Sequence, residues 1–171
     1  MNHIAMKPNF RYLLIILTIF TLGVITGCKK TETNPCEGLL SEGPPSEIIV
    51  KIIDKQTKET LVIDAATIKI TEKQSGKLYT NWNVHNRTNL PQLTGAISLA
   101  VFNETPGEYQ FTMQIGNAGM ATLSYKISRE ETDNPCRPFS YPMRDIKIID
   151  QPFEVFRHDG KSFPTILVVA L

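Results

Sequence analysis

The segment EYQFTMQIGNAGMATLSYKIS, residues 108–128, decides the fold class of this chain. In its second half, Leu123, Tyr125 and Ile127 alternate with polar side chains. An alternation with a period of two is typical of a β-strand that buries one face. The middle of the segment, residues 116–119, reads Gly-Asn-Ala-Gly and predicts a hairpin turn. The segment therefore predicts two strands joined by a tight turn.

Similar turn-forming residues occur on both sides of this segment. Residues 74–76, 105–107 and 158–161 combine Gly with Ser, Pro or Asp and also predict hairpin turns. After the N-terminal region, no window of about eleven residues keeps the apolar spacing of a helix. The strand-length runs are EIIVKIIDK, TLVI, ATIKITE, KLYTNW, AISLAVF, EYQFTMQIG, MATLSYKIS, DIKIID, PFEVFRH and FPTILVVAL. We therefore predict an all-β domain over residues 46–171, a single antiparallel β-sandwich of about seven to nine strands.

Part of this domain resembles the carboxypeptidase regulatory-like domains of the transthyretin-type sandwich. The resemblance covers about residues 48–117. It lies in IIDKQTKETLVIDAATIKI, LTGAISLAV and PGEYQFTMQIG, at positions Thr57, Ala66, Ile68, Ile70, Gly95 and Pro106 to Tyr109. It implies a transthyretin-like or Ig-like sandwich that serves as a structural or binding module beside other proteins.

Two positions depart from that family. Lys58 stands where the family's turn has Gly, and residues 62–64 read Val-Ile-Asp in place of Leu-Pro-Gly. The hydroxyisourate hydrolase branch of the family ends in Tyr-Arg-Gly-Ser, whereas this sequence ends in Val-Val-Ala-Leu. The resemblance therefore implies the fold, and it implies no enzymatic activity.

The first 27 residues have the pattern of a secretory signal peptide. Basic Lys7 and Arg11 precede the apolar run LLIILTIFTLGVIT, and small residues follow it. The run is shorter than the roughly 20 apolar residues that a membrane-spanning helix needs. Cleavage is therefore favoured over a membrane span.

The end of this segment, residues 25–28, reads Ile-Thr-Gly-Cys and resembles the lipobox of bacterial lipoproteins, which a peptidase of the signal peptidase II type cleaves. The resemblance implies a signal peptide over residues 1–27, palmitate-type acylation of Cys28, and a flexible tether over residues 28–45. It predicts a cell-envelope protein held to the membrane through its N-terminal lipid. Lys29 stands where Asp would mark inner-membrane retention, so we expect the outer membrane, on its periplasmic or outward face.

The charge of the processed chain is close to neutral. Loss of the signal peptide removes Lys7 and Arg11 from the 18 basic residues and leaves 16 against 17 acidic residues. Charges of both signs are scattered along the chain, with no basic block or stripe. Because nucleic-acid-binding proteins carry such basic surfaces, we expect no nucleic-acid partner.

Once Cys28 carries lipid, two cysteines remain, Cys36 and Cys136. Exported thiols usually pair in an oxidising compartment, so we predict a disulfide between them. A structural metal is the alternative, but the two thiols with His85 and His158 lack the spacing of a zinc site. We therefore predict no metal and no cofactor. Each of the two cysteines follows Asn-Pro, which favours a turn or an extended connection.

Residues 83–94 form the longest stretch without a strand pattern, and long loops on β-scaffolds often carry binding sites. Trp82, His85 and Arg87 are the candidate ligand-binding residues there, with Tyr79 as an aromatic neighbour. The alternatives are a core position for Trp82 and a solvated loop position for His85. No nucleophile-and-base motif occurs in the sequence, so no catalytic residue is predicted.

These features predict a lipid-anchored envelope lipoprotein whose non-catalytic β-sandwich serves for binding or for structural support. Its partner would be an envelope protein, or a glycan or peptide ligand. The alternative is an envelope hydrolase whose active site has no sequence motif. A pocket that gathers His85 or His158 beside an acid and a hydroxyl would favour the hydrolase.

Overall fold

The structure is a computed structural model that describes residues 36–37, 45–85, 90–102 and 104–171. The chain divides into two units, Met1–Gly38 and Leu39–Leu171. In the first unit only Cys36 and Glu37 are described, and both belong to a turn. The second unit holds every described strand. None of the described helices is long and apolar enough to cross a membrane.

Eleven strands form three sheets in the described part of the chain. The strands are β1 (Ser46–Ile53), β2 (Ile68–Glu72), β3 (Trp82–Val84), β4 (Ile97–Val101), β5 (Gly107–Ile115), β6 (Gly119–Ile127), β7 (Glu130–Glu131), β8 (Phe139–Ser140), β9 (Met143–Ile148), β10 (Phe153–His158) and β11 (Lys161–Ala170). The larger sheets have the orders β10-β11-β1-β4-β3 and β2-β5-β6-β9, and β7 and β8 form a small ribbon. The predicted all-β sandwich is confirmed.

The two larger sheets meet in one hydrophobic cluster, here called the main core. In β1, Ile48, Val50 and Ile52 are at most 1% exposed. The buried members from the four-stranded sheet are Ile68, Ile70, Phe111, Met113, Ile115, Ala121, Leu123, Tyr125, Ile127 and Ile148. Burying a large aliphatic or aromatic side chain contributes about 1.5–3 kcal/mol, so this cluster is the main source of stability. The period of two that predicts the strands is the period at which these side chains enter the core.

Two of the predicted hairpins are confirmed. Residues 116–118 turn the chain between β5 and β6, whose register runs from Gly107 opposite Ile127 to Ile115 opposite Gly119. The other joins β10 to β11, with Asp159 at φ 49° and Gly160 at φ 74°. Two consecutive residues with positive φ are what a two-residue hairpin of the right twist requires, and Asp-Gly is a favoured pair there.

The hairpin predicted at residues 105–107 is wrong. The stretch joins β4 of the five-stranded sheet to β5 of the four-stranded sheet. β4 already lies between β1 and β3, so β5 has no free edge of β4 to pair with. The residue types of a turn fix its local geometry, but they do not determine which sheet the next strand joins.

The strand predicted for TLVI, residues 60–63, is also wrong. Thr60 forms a single isolated bridge to Ile53, and the side chain of Val62 is fully exposed. Similarly, KLYTNW contributes only an isolated bridge at Leu78 before β3 begins at Trp82. β-branched and aromatic composition favours strands, but tertiary pairing decides whether a short run forms one.

One pair of strands departs from the predicted antiparallel arrangement. β1 and β11 run parallel, from Ile49 opposite Ile166 to Ile53 opposite Ala170. The last strand is buried on both faces, because Leu167 enters the main core while its neighbour Ile166 is buried on the other face. A strand covered on both sides is read as a continuous apolar run.

Candidate functional site

Two predicted site residues, Cys28 and Arg87, lie outside the described residues. The same holds for the signal peptide over residues 1–27 and for most of the tether over residues 28–45. The lipid anchor, the signal peptide and the role of Arg87 therefore stay predictions.

The predicted disulfide is confirmed, since Cys36 and Cys136 are disulfide-bonded to each other. Cys136 lies in the loop between β7 and β8, where its backbone N–H donates to the side-chain oxygen of Asn134 at 2.9 Å. The backbone N–H of Arg137 donates to the Asn134 carbonyl at 3.0 Å. An Asn side chain that accepts from the second residue after it forms an Asx turn, so the Asn-Pro-Cys sequence builds a turn as predicted.

The aromatic residues near the predicted loop belong to the main core. Trp82 lies in β3 and packs, half-buried, against the main core, in agreement with its core interpretation. Tyr79 packs with its ring centroid 4.7 Å from that of Phe111 and donates its hydroxyl to the carbonyl of Ala100. Burial raises the pKa of the Tyr79 hydroxyl. Neither ring is therefore a free platform for a ligand.

The connection from β3 to β4 packs a second, smaller apolar cluster on the outer face of the five-stranded sheet, here called the outer cluster. Leu93 of the 3-10 helix Pro91–Leu93 and Ala96 are at most 3% exposed and pack with Ile166 of β11. Ile49, Leu90, Phe156 and Phe163 complete the cluster. Ile49 lies on this face because its neighbours in β1 point into the main core. Within the described part of the predicted loop, Leu90 and Leu93 are thus held against the sheet.

His85 extends the ladder between β3 and β4 on this outer face. Its backbone N–H donates to the Ala96 carbonyl at 2.8 Å. Its side-chain Nε2 is 3.4 Å from a carboxylate oxygen of Glu47, is itself buried, and makes no hydrogen bond to a described residue. The 3.4 Å distance is within ion-pair range, but the geometry is not that of a hydrogen bond. The hydroxyl of Ser98, a residue only 2% exposed, donates to the same Glu47 oxygen.

An acid, an imidazole and a hydroxyl therefore meet, but in an order that does not suit nucleophilic catalysis. In a serine hydrolase the imidazole lies between the hydroxyl and the acid, because it must take the hydroxyl proton. Here the Glu47 carboxylate lies between Ser98 and His85. The carboxylate can hold both groups in place, but His85 cannot reach the Ser98 proton through it. The other candidate, His158, ends β10 with its Nε2 3.4 Å from a carboxylate oxygen of Asp159.

A groove of about 710 Å³ opens elsewhere on the same outer face, here called the basic groove. Its apolar lining includes Ile53, Phe156 and Val168, and its charged residues are Lys51, Lys58, Arg157 and Glu154. The strand register explains part of this lining. Lys51 of β1 lies opposite Val168 of β11, and Val168 lies opposite Glu154 of β10. A register shift after Val155 bends β10 at this point, as bulges near functional sites often do.

The three cations of the basic groove form no ion pair with a described carboxylate, although the charge of Lys58 contributes to lowering the pKa of Asp54. Among the described residues, no carboxylate lies within 4.0 Å of the charged nitrogens of Lys51, Lys58 or Arg157. Arg144, by contrast, pairs with Glu130 at 2.5 Å. The groove thus combines apolar residues with cations that form no ion pair within the described part of the chain.

Lys58 reaches the basic groove from a tight turn that holds its backbone in the left-handed region. Its φ is 63°, and its N–H donates to the Asp54 carbonyl at 2.9 Å. The Asp54 carboxylate accepts from the backbone N–H groups of Thr57 at 2.7 Å and Gln56 at 2.8 Å, which lowers the pKa of that carboxyl. Glycine adopts positive φ without steric cost, whereas a residue with a Cβ does not. This backbone makes a lysine less favourable than a glycine at position 58.

No group of three or more His, Cys, Asp or Glu side chains is arranged to hold a metal ion within the described ranges. A smaller cavity of about 270 Å³ lies beside β5 and is lined by Lys73, Gln74, Glu108 and Gln110. The amide of Gln74 already donates to the Glu108 carbonyl at 2.6 Å, so part of that polar lining is satisfied internally. The basic groove is the larger of the two cavities and has the more distinctive chemistry.

The sequence analysis identified His85 and missed the residues around it. The basic groove was also not predicted, and the only residue of it singled out in the sequence was Lys58. No protein-family model matches this sequence, and no significant similarity to a curated protein or to a solved structure was found.

Proposed function

We propose that this chain is a lipid-anchored lipoprotein of the bacterial cell envelope whose β-sandwich is a non-catalytic binding module. The observation that carries the proposal is the basic groove. Ligand sites are concave and mostly apolar, with a few polar groups that fix orientation. The basic groove is concave and combines apolar residues with an equal number of charged ones, and none of its cations forms an ion pair with a described carboxylate.

The anchor in this proposal is the lipidated Cys28. Each buried methylene of an acyl chain contributes about 0.8 kcal/mol, so several chains together hold a protein firmly on a membrane. Cys36 stands eight residues after Cys28. At about 3.3–3.6 Å per extended residue, this length of chain reaches at most roughly 25–30 Å. A domain tied at Cys36 would therefore work close to the bilayer, which suits a partner in the same membrane.

A hydrolase is the second candidate, because the structure brings Ser98 and Glu47 beside His85. The central position of the carboxylate favours a structural role for the three residues. A panel of simple esters tests this. Hydrolysis that disappears in both Ser98→Ala and His85→Gln, with the melting temperature unchanged, would favour the hydrolase over the binding module.

The anchor is tested with Cys28→Ser and metabolic labelling with palmitate. We expect the variant to take up no label and to accumulate as the uncleaved precursor, because the thioether forms before the signal is cut. The matched control is Cys136→Ser, which removes a different thiol and should keep its label and its membrane fractionation. Normal labelling of Cys28→Ser would overturn the lipoprotein assignment.

A further inference from the structure

We infer that the basic groove binds an acidic peptide segment of a partner protein, in which carboxylates flank at least one apolar side chain. This inference rests on the proposed binding function and specifies its ligand. The charge of the groove, the nature of its floor and the backbone of Lys58 support it.

The charge of the basic groove favours an anionic partner. Three cations, Lys51, Lys58 and Arg157, face one carboxylate, Glu154, around the cavity. Complementary charge fixes orientation and accelerates encounter. The single acid also limits the ligand, because a dense polyanion such as a phosphate cluster would meet Glu154 as well as the cations. Carboxylates spaced along a chain can reach each cation and leave Glu154 free to accept a backbone N–H.

The floor of the basic groove favours an apolar side chain over a sugar ring. Ile53 and Val168 are half-buried aliphatic residues that a ligand side chain can cover. Sugars are commonly recognised on an open aromatic face, and the ring of Phe156 is not open. It stacks on His158 with centroids 6.4 Å apart and contacts Phe163 at 6.2 Å. The surface that is left suits an aliphatic or aromatic peptide side chain.

The backbone of Lys58 is the third observation. A lysine at φ 63° is less favourable than a glycine would be, and strained residues of this kind are concentrated at functional sites. The turn is closed by Asp54, so its hydrogen bonds do not depend on the lysine side chain. What the lysine adds over glycine is an ammonium group at the edge of the basic groove.

The test uses the full lipidated chain in detergent, with its disulfide intact. The probe is a short fluorescent peptide in which glutamate alternates with leucine, and its counterpart has glutamine in place of each glutamate. Fluorescence anisotropy at low salt should show binding of the glutamate peptide only. The double variant Lys51→Gln with Arg157→Gln should weaken that binding by about tenfold or more, since each exposed ion pair is worth a few-fold.

The matched control is the double variant Lys126→Gln with Lys147→Gln. Both residues are exposed on the four-stranded sheet, so the variant changes the net charge equally and leaves the basic groove intact. It should bind the glutamate peptide as the parent does. Equal weakening in the control, or equal binding of the glutamine peptide, would overturn the inference.

Two further probes separate the peptide from other acidic ligands. A uronic-acid oligosaccharide or vesicles rich in phosphatidylglycerol that bind more tightly than the glutamate peptide, and lose binding with Lys51→Gln, would replace the peptide as the occupant. Lipid labelling of Cys28 is independent of these outcomes. Failure of the peptide with normal lipidation would therefore remove the ligand class and leave the anchor in place.

Discussion

The two outer faces of the sandwich are built from different chemistry. On the five-stranded sheet, Leu93 and Ala96 of a connecting segment pack onto Ile166, and the basic groove opens elsewhere on the same face. On the four-stranded sheet, Thr112 lies opposite Thr122, and the neighbouring pairs on that face, Gln110 with Ser124 and Gln114 with Met120, are mostly polar. A sheet face that is partly covered by its own chain is uneven, and its uncovered part has apolar residues at its base. The basic groove, the larger of the two cavities described above, lies on the covered face, so binding is expected there.

The largest effect is expected when the strand that supports the covered face of the five-stranded sheet is removed. Deleting Ile166–Leu171 takes away the residues of β11 that pair with β1, and it removes Ile166 from the outer cluster. We expect the domain to lose its cooperative unfolding transition, because Leu167 and Val169 are also fully buried in the main core. Thermal denaturation followed by circular dichroism measures this. A truncated chain with an unchanged, cooperative transition would show that the strand is peripheral.

The next test compares two neighbouring residues of β11 that face opposite sides. Leu167 is 0% exposed in the main core, and Ile166 is 6% exposed in the outer cluster. Truncation of buried Leu or Ile to Ala costs about 2–5 kcal/mol, and more where the surroundings cannot relax. We expect Leu167→Ala near the upper part of that range and Ile166→Ala near the lower part, measured by urea denaturation. A larger loss for Ile166→Ala would mean that the outer cluster, and not the main core, dominates stability.

A smaller effect is expected on the polar face. The hydroxyl and the backbone N–H of Thr122 each donate to the Asp150 carboxylate at 2.7 Å. Thr122→Val keeps the shape and the backbone bond, so its cost of about 1 kcal/mol should report the hydroxyl alone. The control is Thr112→Val on the facing strand, whose hydroxyl bonds to no other described residue. Equal losses for the two variants would show that the Asp150 bond contributes nothing.

The smallest expected effect is a gain in stability at the edge of the basic groove. Lys58→Gly relieves a positive φ, which we expect to raise the free energy of unfolding by up to about 1 kcal/mol while removing a cation from the groove. Lys55→Gly, in the same turn but without positive φ, should lower it instead. Differential scanning calorimetry of both variants decides the matter. A loss of stability in Lys58→Gly would contradict the account of the turn.

The sequence predicts the fold well where a strand is long and alternates. In β6, Leu123, Tyr125 and Ile127 show the period of two directly, and they enter the main core as that period requires. The shorter run at residues 60–63 has the composition of a strand, but it has too few residues for alternation to be read. Whether this run forms a strand depends on the tertiary pairing of its neighbours, and local sequence patterns do not carry that information.

The candidate site was less predictable because it is assembled from distant segments. Lys51, Lys58 and Arg157 come together only when β1 and β10 are placed on either side of β11. No rule based on spacing along the sequence predicts that these residues become neighbours. Ser98 illustrates the same limit, since it is a small residue within an apolar run, and its hydroxyl gains a role only through Glu47 on the adjacent strand.

The parallel pairing of β1 with β11 also governs when the domain can assemble. Ile49 and its partner Ile166 are 117 positions apart, so closing this pair encloses nearly the whole domain. Contacts of such long sequence separation form slowly, because the entropy of loop closure must be overcome before they add stability. β1 is synthesised before the other strands, and the edge that faces β11 stays unpaired until β11 has been made. The five-stranded sheet therefore cannot be completed until synthesis has passed residue 170, so closure of the sandwich is a late event in the life of the chain.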